Sequence, residues 1–576
     1  MEANVKAKYE EWLNSDFLSK EDRDDLVKIE NNEKEITERF YKDLDFGTGG
    51  LRGIRGVGTN RMNVYVVRKA TQGLANYMLK TDKDAKSKGI VIAYDSRIQS
   101  EEFAETAALV MAGNGIKAYL FNSLRSTPEL SFAVRELKTL SGIVVTASHN
   151  PPEYNGYKVY WDDGAQVVAP HDKKIIEEVY SIQNFNEIKY ISKEAALEKG
   201  LLEIIGKEQD DKFIEQLKKQ VIVNNDLISK MGKTMKIVYT PLHGAGNVAC
   251  QRILKEVGFE NVYVVKEQEK PDGNFPTASY PNPEDPKVFS LGIKLATEKG
   301  AKIVMANDPD ADRIGIAIQK KDGEWMFPNG NQVGVLAVDY ILKNMKNKVN
   351  NGAIISTVVS TPMLDNVCEK NGVSLIRTLT GFKFIGEKIK GFEEKKDDKT
   401  YLFGFEESYG YLKGTHARDK DAIGATLLIA EIASYYEDKG ISIDEAIESL
   451  YNEYGHYRDG IESLTMQGKE GAEKIASIMS TMRENTPKEV TGKKVVIVRD
   501  FLKSVEKNKQ TGVEIKINMP SSNVLQLVLE DNTYITARPS GTEPKIKFYF
   551  GVNSTDKKSA DEKLVSTMEE FLKNIK

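Results

Sequence analysis

The sequence predicts an α/β protein with three similar α/β domains and a smaller C-terminal α+β domain. From about residue 64 to residue 450, short apolar strand patterns alternate with longer amphipathic helix patterns. This alternation predicts mainly parallel sheets with helices on their faces. After about residue 451, strand patterns rich in Val, Leu, Tyr and Phe are separated by turns instead. The chain has 576 residues, enough for about four domains of ordinary size.

The predicted elements follow this division. The N-terminal segment of about forty residues is predicted to form two helices. The α/β blocks contain predicted strands at the following positions: 89–94, 117–121, 142–146, 235–239, 262–265, 302–305, 353–355, 374–376 and 401–403. Residues 183–234 are predicted to hold an edge strand, a helix and a domain junction. Strands over 521–552 and a helix over 557–575 complete the last block.

Composition excludes several classes of protein. With 81 basic and 86 acidic residues, the net charge of −5 argues against a nucleic-acid partner. Two cysteines, Cys250 and Cys368, cannot form a disulfide framework, and we predict that both are buried. The polar N-terminus does not resemble a signal peptide, and no apolar run is long enough to span a membrane. We therefore expect a cytoplasmic protein with neither nucleic-acid nor membrane partners.

The segment 146–152, with the sequence TASHNPP, directly follows a predicted buried strand. Ligands of α/β domains bind beyond the carboxyl ends of strands, so Ser148 and His149 are well placed for chemistry. A polar turn stopped by two prolines is the simpler interpretation of this segment alone. Lys158 returns toward the same loop, and an exposed strand charge is the alternative for it.

Three aspartates at alternate positions, Asp308, Asp310 and Asp312, follow the predicted strand 302–305. Carboxylates that converge in this way favour a hard cation, and they would repel one another without it. An EF-hand is excluded because Arg313 and Gln319 stand where it needs glycine and glutamate. We predict a Mg²⁺ site that uses few protein ligands and leaves room for a phosphate oxygen.

A third polar loop, residues 404–410, follows the predicted strand 401–403. Glu406 and Ser408 in this loop are suited to hydrogen bonding with the vicinal hydroxyls of a sugar. A solvated turn is the simpler interpretation of the loop taken alone. A sugar-binding role for this loop is favoured only when it is considered together with the other polar loops.

The fourth polar loop, residues 538–544, combines Arg538 with two hydroxyl side chains and a glycine. Such a set of donors favours an anion-binding nest, and we predict a phosphate there. The glycine-rich stretch 46–53 is a weaker signal, because clustered glycines usually mean a turn. Only Arg52 gives that stretch a reason to contact phosphate.

Three other polar segments have ordinary structural interpretations. Asp95 and Arg97 are predicted to form an interdomain ion pair. Residues 418–421 are predicted to be a salt-bridged helix start that could support a cleft, and residues 329–332 a turn and helix cap.

The chain closely resembles the α-D-phosphohexomutase superfamily in four motifs that occur in the family's order: TASHNP at 146–151, DPDADR at 308–313, GFEES at 404–408 and RPSGTEP at 538–544. The segments 47–53 and 380–383, with the long N-terminal extension, are similar to its bacterial phosphoglucomutase branch. The resemblance implies mixed sheets and four domains around a central cleft, each with one functional loop. We predict these limits: 1–205 (helical extension and domain I, phosphoserine loop), 206–323 (domain II, metal loop), 324–450 (domain III, sugar loop) and 451–576 (domain IV, phosphate loop).

The resemblance also implies a role for each candidate residue. Ser148 would be the phosphoserine, and an oxygen of its phosphate would join the aspartates around Mg²⁺. The implied metal ligands are Ser148, Asp308, Asp310 and Asp312, and the implied sugar-binding residues are Glu406 and Ser408. The non-reacting phosphate would be bound by Arg538, Ser540, Gly541 and Thr542. The reacting centre would be lined by Arg52, His149, Lys158, Arg313 and Lys383.

The implied reaction is the interconversion of glucose 1-phosphate and glucose 6-phosphate. It would pass through a glucose 1,6-bisphosphate intermediate, which would also serve as activator, and sugar phosphates would be the partners. Lys158, Lys383 and His149 are all candidates for the general base. Three alternatives remain open: a phosphomannomutase, a phosphopentomutase, and a non-catalytic sugar-phosphate-binding protein. The oligomeric state is also open.

Overall fold

A computed structural model describes residues 2–47, 49–223, 225–346, 349–466, 468–540, 545–573 and 575. Within these ranges, three mixed sheets follow one another along the chain, and an antiparallel sheet lies at the C-terminal end. The predicted fold class is confirmed. The sheets are mixed, as the resemblance implied, and parallel pairings are the majority in the first and third of them. The domain limits themselves stay a prediction.

The N-terminal segment forms a small helical layer, with helices α1 (Ala3–Leu13), α2 (Lys20–Lys28) and α3 (Glu33–Phe40). The prediction of two helices was wrong. Asn32 begins a separate helix, because its side chain accepts a hydrogen bond from the backbone N–H of Glu35 at 3.1 Å. Trp12 and Phe40 are buried between the helices and pack edge to face.

The first sheet comprises β1 (Gly50–Ile54), β2 (Ile90–Tyr94), β3 (Ala118–Phe121), β4 (Ser141–Val145), β5 (Tyr154–Trp161) and β6 (Leu202–Ile205). Their order is β1-β5-β4-β2-β3-β6, and β5 runs antiparallel to both of its neighbours. The helices of this region are α4 (Val64–Thr81), α5 (Ala85–Lys88), α6 (Ser100–Gly113), α7 (Thr127–Leu137), α8 (His171–Ser181) and α9 (Lys193–Glu198). Every residue of β2 and β4 is buried, as expected for strands covered on both faces.

The second sheet has the order β11-β10-β9-β7-β8. Its strands are β7 (Lys236–Thr240), β8 (Asn261–Val264), β9 (Ile303–Asn307), β10 (Ile314–Gln319) and β11 (Trp325–Met326). The helices are α10 (Lys207–Lys218), α11 (Asn225–Met231), α12 (Gly246–Val257), α13 (Lys266–Glu269) and α14 (Ser290–Lys299). The predicted junction 183–234 thus contains β6 as an edge strand and more helix than expected. Cys250 in α12 is buried, as predicted.

The third sheet has the order β13-β12-β14-β15. Its strands are β12 (Gly352–Thr357), β13 (Ser374–Thr378), β14 (Thr400–Glu406) and β15 (Gly410–Lys413). The helices are α15 (Gly330–Asn344), α16 (Met363–Lys370), α17 (Phe382–Glu393), α18 (Ala422–Asp438) and α19 (Ile443–Tyr454). Cys368 in α16 is buried, which confirms the second cysteine prediction.

The fourth sheet has the order β16-β23-β22-β21-β18-β19-β20, with β17 paired to β18. Its strands are β16 (His456–Thr465), β17 (Glu489–Val490), β18 (Lys493–Asp500), β19 (Val505–Asn508), β20 (Glu514–Lys516), β21 (Leu525–Leu529), β22 (Tyr534–Pro539) and β23 (Lys545–Ser554). The helices α20 (Gly468–Glu484) and α21 (Lys557–Lys573) complete this region. Neighbouring strands are antiparallel, so the α+β prediction is confirmed.

Each predicted functional loop joins two neighbouring antiparallel strands. The connections are β4 to β5, β9 to β10, β14 to β15 and β22 to β23. In the first three sheets, the strand before the loop lies within the parallel part of the sheet, so the loop emerges at its carboxyl end. No helix in the described part of the chain is long and apolar enough to cross a membrane.

Candidate active site

Ser148 lies in the connection from β4 to β5 and contacts the aspartate loop of the second sheet. Its φ is +52°, in the left-handed region that residues other than glycine seldom adopt. Its hydroxyl donates a hydrogen bond to Asp308 Oδ2 at 2.8 Å and lies 3.1 Å from His149 Nδ1. The predicted nucleophile and the first predicted metal ligand are therefore in direct contact.

Asp308, Asp310 and Asp312 form a buried cluster in which one carboxylate oxygen from each residue lies within 4.8 Å of the others. Asp310 Oδ1 and Asp312 Oδ1 are buried without a hydrogen-bond partner in the described structure. Burial and the neighbouring carboxylates raise the pKa of Asp308. Unsatisfied carboxylate oxygens grouped in this way fit a divalent cation.

Two lysines from different sheets contact the aspartate cluster. Lys158 Nζ lies 2.8 Å from Asp310 Oδ2 and 3.4 Å from Asp312 Oδ2, and Lys420 Nζ lies 3.0 Å from Asp312 Oδ2. Burial opposes ionisation of Asp312, but Lys420 and Lys158 outweigh it and lower its pKa. Burial likewise opposes protonation of Lys158, but Asp310 and Asp312 outweigh it and raise its pKa. Both lysines are thus held in the charged form.

His149 faces a positively charged environment. Burial, followed by the charges of Arg313 and Arg52, lowers the pKa of His149 well below its usual value. Arg313 Nη1 donates to Glu284 Oε1 at 2.8 Å, and Arg52 Nη1 donates to Asn150 Oδ1 at 3.5 Å. His149 is consequently neutral at neutral pH.

The predicted sugar loop lies at the end of β14. Glu406 is buried, and its Oε1 accepts a hydrogen bond from the backbone N–H of Gly381 at 2.7 Å. Ser408 is half-buried in the short connection to β15. Glu406 also interacts electrostatically with Arg313 in the loop of the second sheet. Burial opposes protonation of Arg313, but Glu284, Asp312 and other carboxylates, including Glu406, outweigh burial and raise the pKa of Arg313.

Lys383 and Arg538 are the predicted site residues of α17 and of the fourth sheet. Burial lowers the pKa of Lys383, and the carboxylates that oppose this effect, Asp172 and Glu387, are not predicted site residues. Arg538 lies in β22, and its Nη1 donates to the Tyr549 hydroxyl at 3.5 Å.

The predicted phosphate loop is described only in part. The backbone N–H of Ser540 donates to the carbonyl of Lys545 at 2.7 Å, which closes the connection between β22 and β23. Gly541 and Thr542 lie outside the described residues. Burial opposes protonation of Arg538, but Tyr549 and Glu407 outweigh it and raise its pKa, so this loop interacts electrostatically with the loop after β14.

Comparison with known proteins places this geometry in a family. Models for alpha/beta/alpha domains I, II and III of phosphoglucomutase/phosphomannomutase match residues 43–186, 211–323 and 329–454. The phosphoglucomutase of Staphylococcus saprophyticus is 36% identical over 521 residues, covering 90% of this chain and 92% of its own. The chain belongs to the phosphoglucomutase/phosphomannomutase family. For the phosphoglucomutase of Staphylococcus aureus strain MRSA252, the identity is 36% over 550 residues, with 94% and 96% covered.

Solved structures of the phosphoglucomutase/phosphomannomutase family share the fold. A phosphoglucomutase/phosphomannomutase family protein from Burkholderia thailandensis has a TM-score of 0.63 at 19% identity, covering 92% of this chain and 96% of its own. Parafusin (phosphoglucomutase) from Paramecium, in an open form, has a TM-score of 0.66 at 18% identity, with 92% and 94% covered. Membership in this mutase family makes the protein an enzyme, and the buried aspartates fit the divalent-cation site of such an enzyme.

One residue of the predicted salt-bridged helix start 418–421 contacts the aspartate cluster. Asp421 does cap α18, as predicted, by accepting from the backbone N–H groups of Ile423 and Gly424. Lys420, however, extends to Asp312 in another sheet. The signal available was its position between the sugar loop and α18, which by itself does not identify a contact.

The prediction of an interdomain pair between Asp95 and Arg97 was wrong. Both residues follow β2, and Arg97 Nε lies 3.4 Å from Asp95 Oδ2, so the pair is internal to the first sheet region. Their side chains are fully buried.

Proposed function

We propose that the protein is a phosphoglucomutase that interconverts glucose 1-phosphate and glucose 6-phosphate through a phosphoserine at Ser148. Glucose 1,6-bisphosphate is the proposed intermediate, and it also serves as activator. The 2.8 Å contact between the Ser148 hydroxyl and the buried aspartate cluster carries this proposal. Identity of 36% to proteins named phosphoglucomutase over 90% of the chain supports the choice of glucose as the sugar.

Asp308, Asp310 and Asp312, with a phosphate oxygen on Ser148, are the proposed ligands of Mg²⁺. When bound, Mg²⁺ supplies neutralisation of phosphoryl charge. The buried oxygens Asp310 Oδ1 and Asp312 Oδ1, which lack hydrogen-bond partners in the described structure, support a cation at this point. Phosphoryl transfer depends mainly on positioning and charge stabilisation, so the left-handed backbone at Ser148 and the cluster beside it suit the reaction.

The protein's own cations stabilise the charge of the transferring group. Arg52, Lys158 and Arg313 are the proposed contributors, and each is held by the contacts described above. The general base must be unprotonated at neutral pH. Of the three candidates, Lys158 has a raised pKa, whereas His149 and Lys383 have lowered ones. His149 is the one in contact with the Ser148 hydroxyl, which favours it.

A mutase of this kind must serve both ends of the sugar with one phosphate donor. The bisphosphate is proposed to turn around in the site, so that either terminal phosphate binds the loop 538–544. Glu406 and Ser408 would contact the sugar hydroxyls in both orientations, and Arg538, Ser540, Gly541 and Thr542 the non-reacting phosphate. The electrostatic interaction of Arg538 with Glu407, next to Glu406, supports a common substrate for the two loops.

We also propose small-molecule sugar phosphates as the partners, with neither nucleic acid nor membrane, and the cytoplasm as the location. The acidic balance and the reduced cysteines support both points. The domain limits 1–205, 206–323, 324–450 and 451–576 belong to the same proposal. Each assigns one of the four functional loops to one domain.

Replacing the serine tests the proposed function. Ser148→Ala is expected to remove mutase turnover of glucose 1-phosphate in a coupled assay, while circular dichroism and the melting temperature stay unchanged. Ser181→Ala is the control, because Ser181 is an exposed residue at the end of α8. Substantial turnover by Ser148→Ala would refute the phosphoserine.

The same assay separates the alternatives. Faster turnover of mannose 1-phosphate or ribose 1-phosphate than of glucose 1-phosphate would favour a phosphomannomutase or a phosphopentomutase. A wild-type protein that carries no phosphate and shows no turnover with added glucose 1,6-bisphosphate would be a non-catalytic sugar-phosphate-binding protein.

A further inference from the structure

A fully buried arginine lies directly beneath the loop that carries Ser148. The side chain of Arg97 is inaccessible to solvent. Its two terminal nitrogens donate hydrogen bonds to the carbonyl oxygens of the serine itself and of three residues that follow it: Ser148 (2.6 Å), Asn150, Pro151 (2.8 Å) and Tyr154 (3.1 Å). One guanidinium therefore binds the backbone of the connection from Ser148 to the start of β5.

Asp95 connects the same arginine to the other side of the serine. Asp95 Oδ2 lies 3.4 Å from Arg97 Nε and accepts a hydrogen bond from Thr146 Oγ1 at 2.6 Å. Thr146 Oγ1 in turn accepts from the backbone N–H of Ser148 at 2.8 Å. Asp95 Oδ1 is occupied by the Ser100 hydroxyl at 2.8 Å. The backbone of Ser148 is thus held at its carbonyl by Arg97 and at its N–H through Thr146.

Residues of the second sheet region pack against Arg97 from the side opposite the serine loop. The Phe275 ring centroid lies 5.0 Å from Arg97 Cζ. Gly273 lies against the backbone of Ile98, the residue that follows Arg97. A Cβ added to Gly273 would lie 2.4 Å from the backbone nitrogen of Ile98. Arg97 is therefore enclosed between two parts of the chain and has little freedom to follow a displaced loop.

We propose that Arg97, together with Asp95, is a positioning residue that fixes Ser148 in the left-handed conformation in which its hydroxyl meets Asp308. The inference rests on the proposed function, because the position of Ser148 matters through its reaction. A left-handed serine is unfavourable in isolation, so the surrounding contacts must maintain it. The planar fork of arginine can serve several carbonyl groups at once, whereas the single ammonium of lysine cannot reproduce that geometry.

The first test is Arg97→Lys, with Arg61→Lys as the matched control. Arg61 is also buried in the first part of the chain, and it donates to the carbonyls of Glu38 and Asn60 far from the serine loop. For Arg97→Lys we expect kcat to fall about 100-fold, the order of loss produced by a misplaced reacting group. KM for glucose 1-phosphate should be unchanged, because Arg97 contacts backbone carbonyls, Asp95 and the Phe275 ring rather than the loops proposed to bind the sugar and its phosphate.

The outcomes of this test are distinct. Retention of wild-type kcat by Arg97→Lys, with wild type and Arg61→Lys both active, would overturn the inference alone. Absence of turnover in wild type and Arg61→Lys would overturn the proposed function and this inference with it. An equal loss of kcat in the two lysine variants would show a general cost of replacing buried arginine and would also overturn the inference.

A milder variant covers the case in which Arg97→Lys does not fold. Thr146→Val keeps the shape of the side chain but removes the hydroxyl between Asp95 and Ser148, and Thr146→Ser restores it. We expect Thr146→Val to lower kcat at unchanged KM and to shift the ³¹P resonance of the phosphoserine, and Thr146→Ser to reverse both changes. A Thr146→Val protein with wild-type kcat and an unshifted resonance would contradict the positioning role.

Discussion

At the scale of single residues, the charge of Asp312 is balanced by two lysines that come from different sheets. Lys158 follows the serine loop, and Lys420 precedes α18. The contact of Lys420 with Asp312, at 3.0 Å, is shorter than that of Lys158, at 3.4 Å. The two lysines together reduce the negative charge that the aspartate cluster presents to a cation.

Removing one of these lysines should therefore strengthen cation binding. For Lys420→Met we expect Mn²⁺ to bind the dephosphorylated protein about tenfold more tightly, equivalent to about 1.4 kcal/mol, as measured by isothermal titration calorimetry. Lys413→Met is the control, because Lys413 lies in β15 and its charge acts on Glu431 instead. Weaker binding by Lys420→Met would mean that Lys420 holds the cluster in shape rather than opposing the cation.

The residue scale also shows what a sequence can and cannot predict about a site. Asp308, Asp310 and Asp312 were predictable because their ligand atoms converge within one short loop. Lys420 was not, because its contact with Asp312 depends on how two sheets pack, and no local pattern records that packing. Arg97 was missed for a related reason: its partners are backbone carbonyls, which every residue has.

At the scale of elements, the N-terminus of α7 docks onto the metal loop. The backbone N–H of Thr127 donates to the Asp310 carbonyl at 2.9 Å, and its Oγ1 donates to Asp310 Oδ2 at 2.9 Å. Asp310 Oδ1, in contrast, has no hydrogen-bond partner in the described structure. The helix end thus orients one oxygen of Asp310 and leaves the other for a cation.

Thr127→Val should disturb this orientation while preserving the helix. We expect Mn²⁺ affinity to fall about tenfold, the lower end of the range for residues that orient metal ligands. Thr127→Ser keeps the hydroxyl and should bind Mn²⁺ as the wild type does. Equal affinities of the valine and serine variants, measured by the same calorimetry, would exclude a role for the Thr127 side chain.

A second element-scale feature is the start of β16, which connects the third and fourth sheets. Asp459 in this strand is half-buried, and its Oδ1 is enclosed without a hydrogen-bond partner in the described structure. Burial raises its pKa to about 7, although hydrogen bonds from Thr361 and Asn331 act in the opposite direction. Asp459 therefore binds its proton more tightly in the folded protein than in the unfolded chain.

The resulting pH dependence has a defined sign. Because the folded-state pKa is raised, the stabilising contribution is present at acid pH and lost as the pH rises through about 7. Between pH 6 and pH 8, we expect the free energy of unfolding to fall by about 1 kcal/mol more in the wild type than in Asp459→Asn. Urea denaturation at both pH values measures the difference. Parallel behaviour of the two proteins would assign the pH dependence to another group.

Helices and strands were predicted best where residues close together in the sequence determine them. The turn and cap predicted over 329–332 forms a capping box, with Asn329 and Gln332 bonded reciprocally at the start of α15. The buried strands were found by their apolar runs. The antiparallel direction of β5, β10 and β15 was not visible in the sequence, because strand direction depends on the topology of the whole sheet.

At the scale of the whole molecule, three sheet regions meet at the aspartate cluster. Thr127 and Lys158 come from the first, the aspartates from the second and Lys420 from the third. Further contacts connect the same regions, such as the hydrogen bond of 2.7 Å from the Tyr160 hydroxyl to Asp419 Oδ2. A cation bound at the cluster should therefore stabilise the packing of these regions.

Metal removal is expected to lower both stability and activity. Mg²⁺ at about 100 times its Kd should add about 2.7 kcal/mol to the stability of the folded state, and EDTA should remove that increment together with mutase turnover. Differential scanning calorimetry with and without Mg²⁺ measures the effect on the melting temperature. Asp310→Asn is the control: if it showed the full Mg²⁺-dependent shift, the stabilising cation would bind elsewhere.

The division of the functional loops among four sheets has a consequence for inactivation. The proposed nucleophile, cation ligands, sugar contacts and phosphate contacts each come from a different sheet, so a molecule with one sheet region unfolded is inactive even if the other three are intact. The rate at which activity disappears on heating therefore reports the least stable region. Most of the helical signal in circular dichroism should outlast the activity.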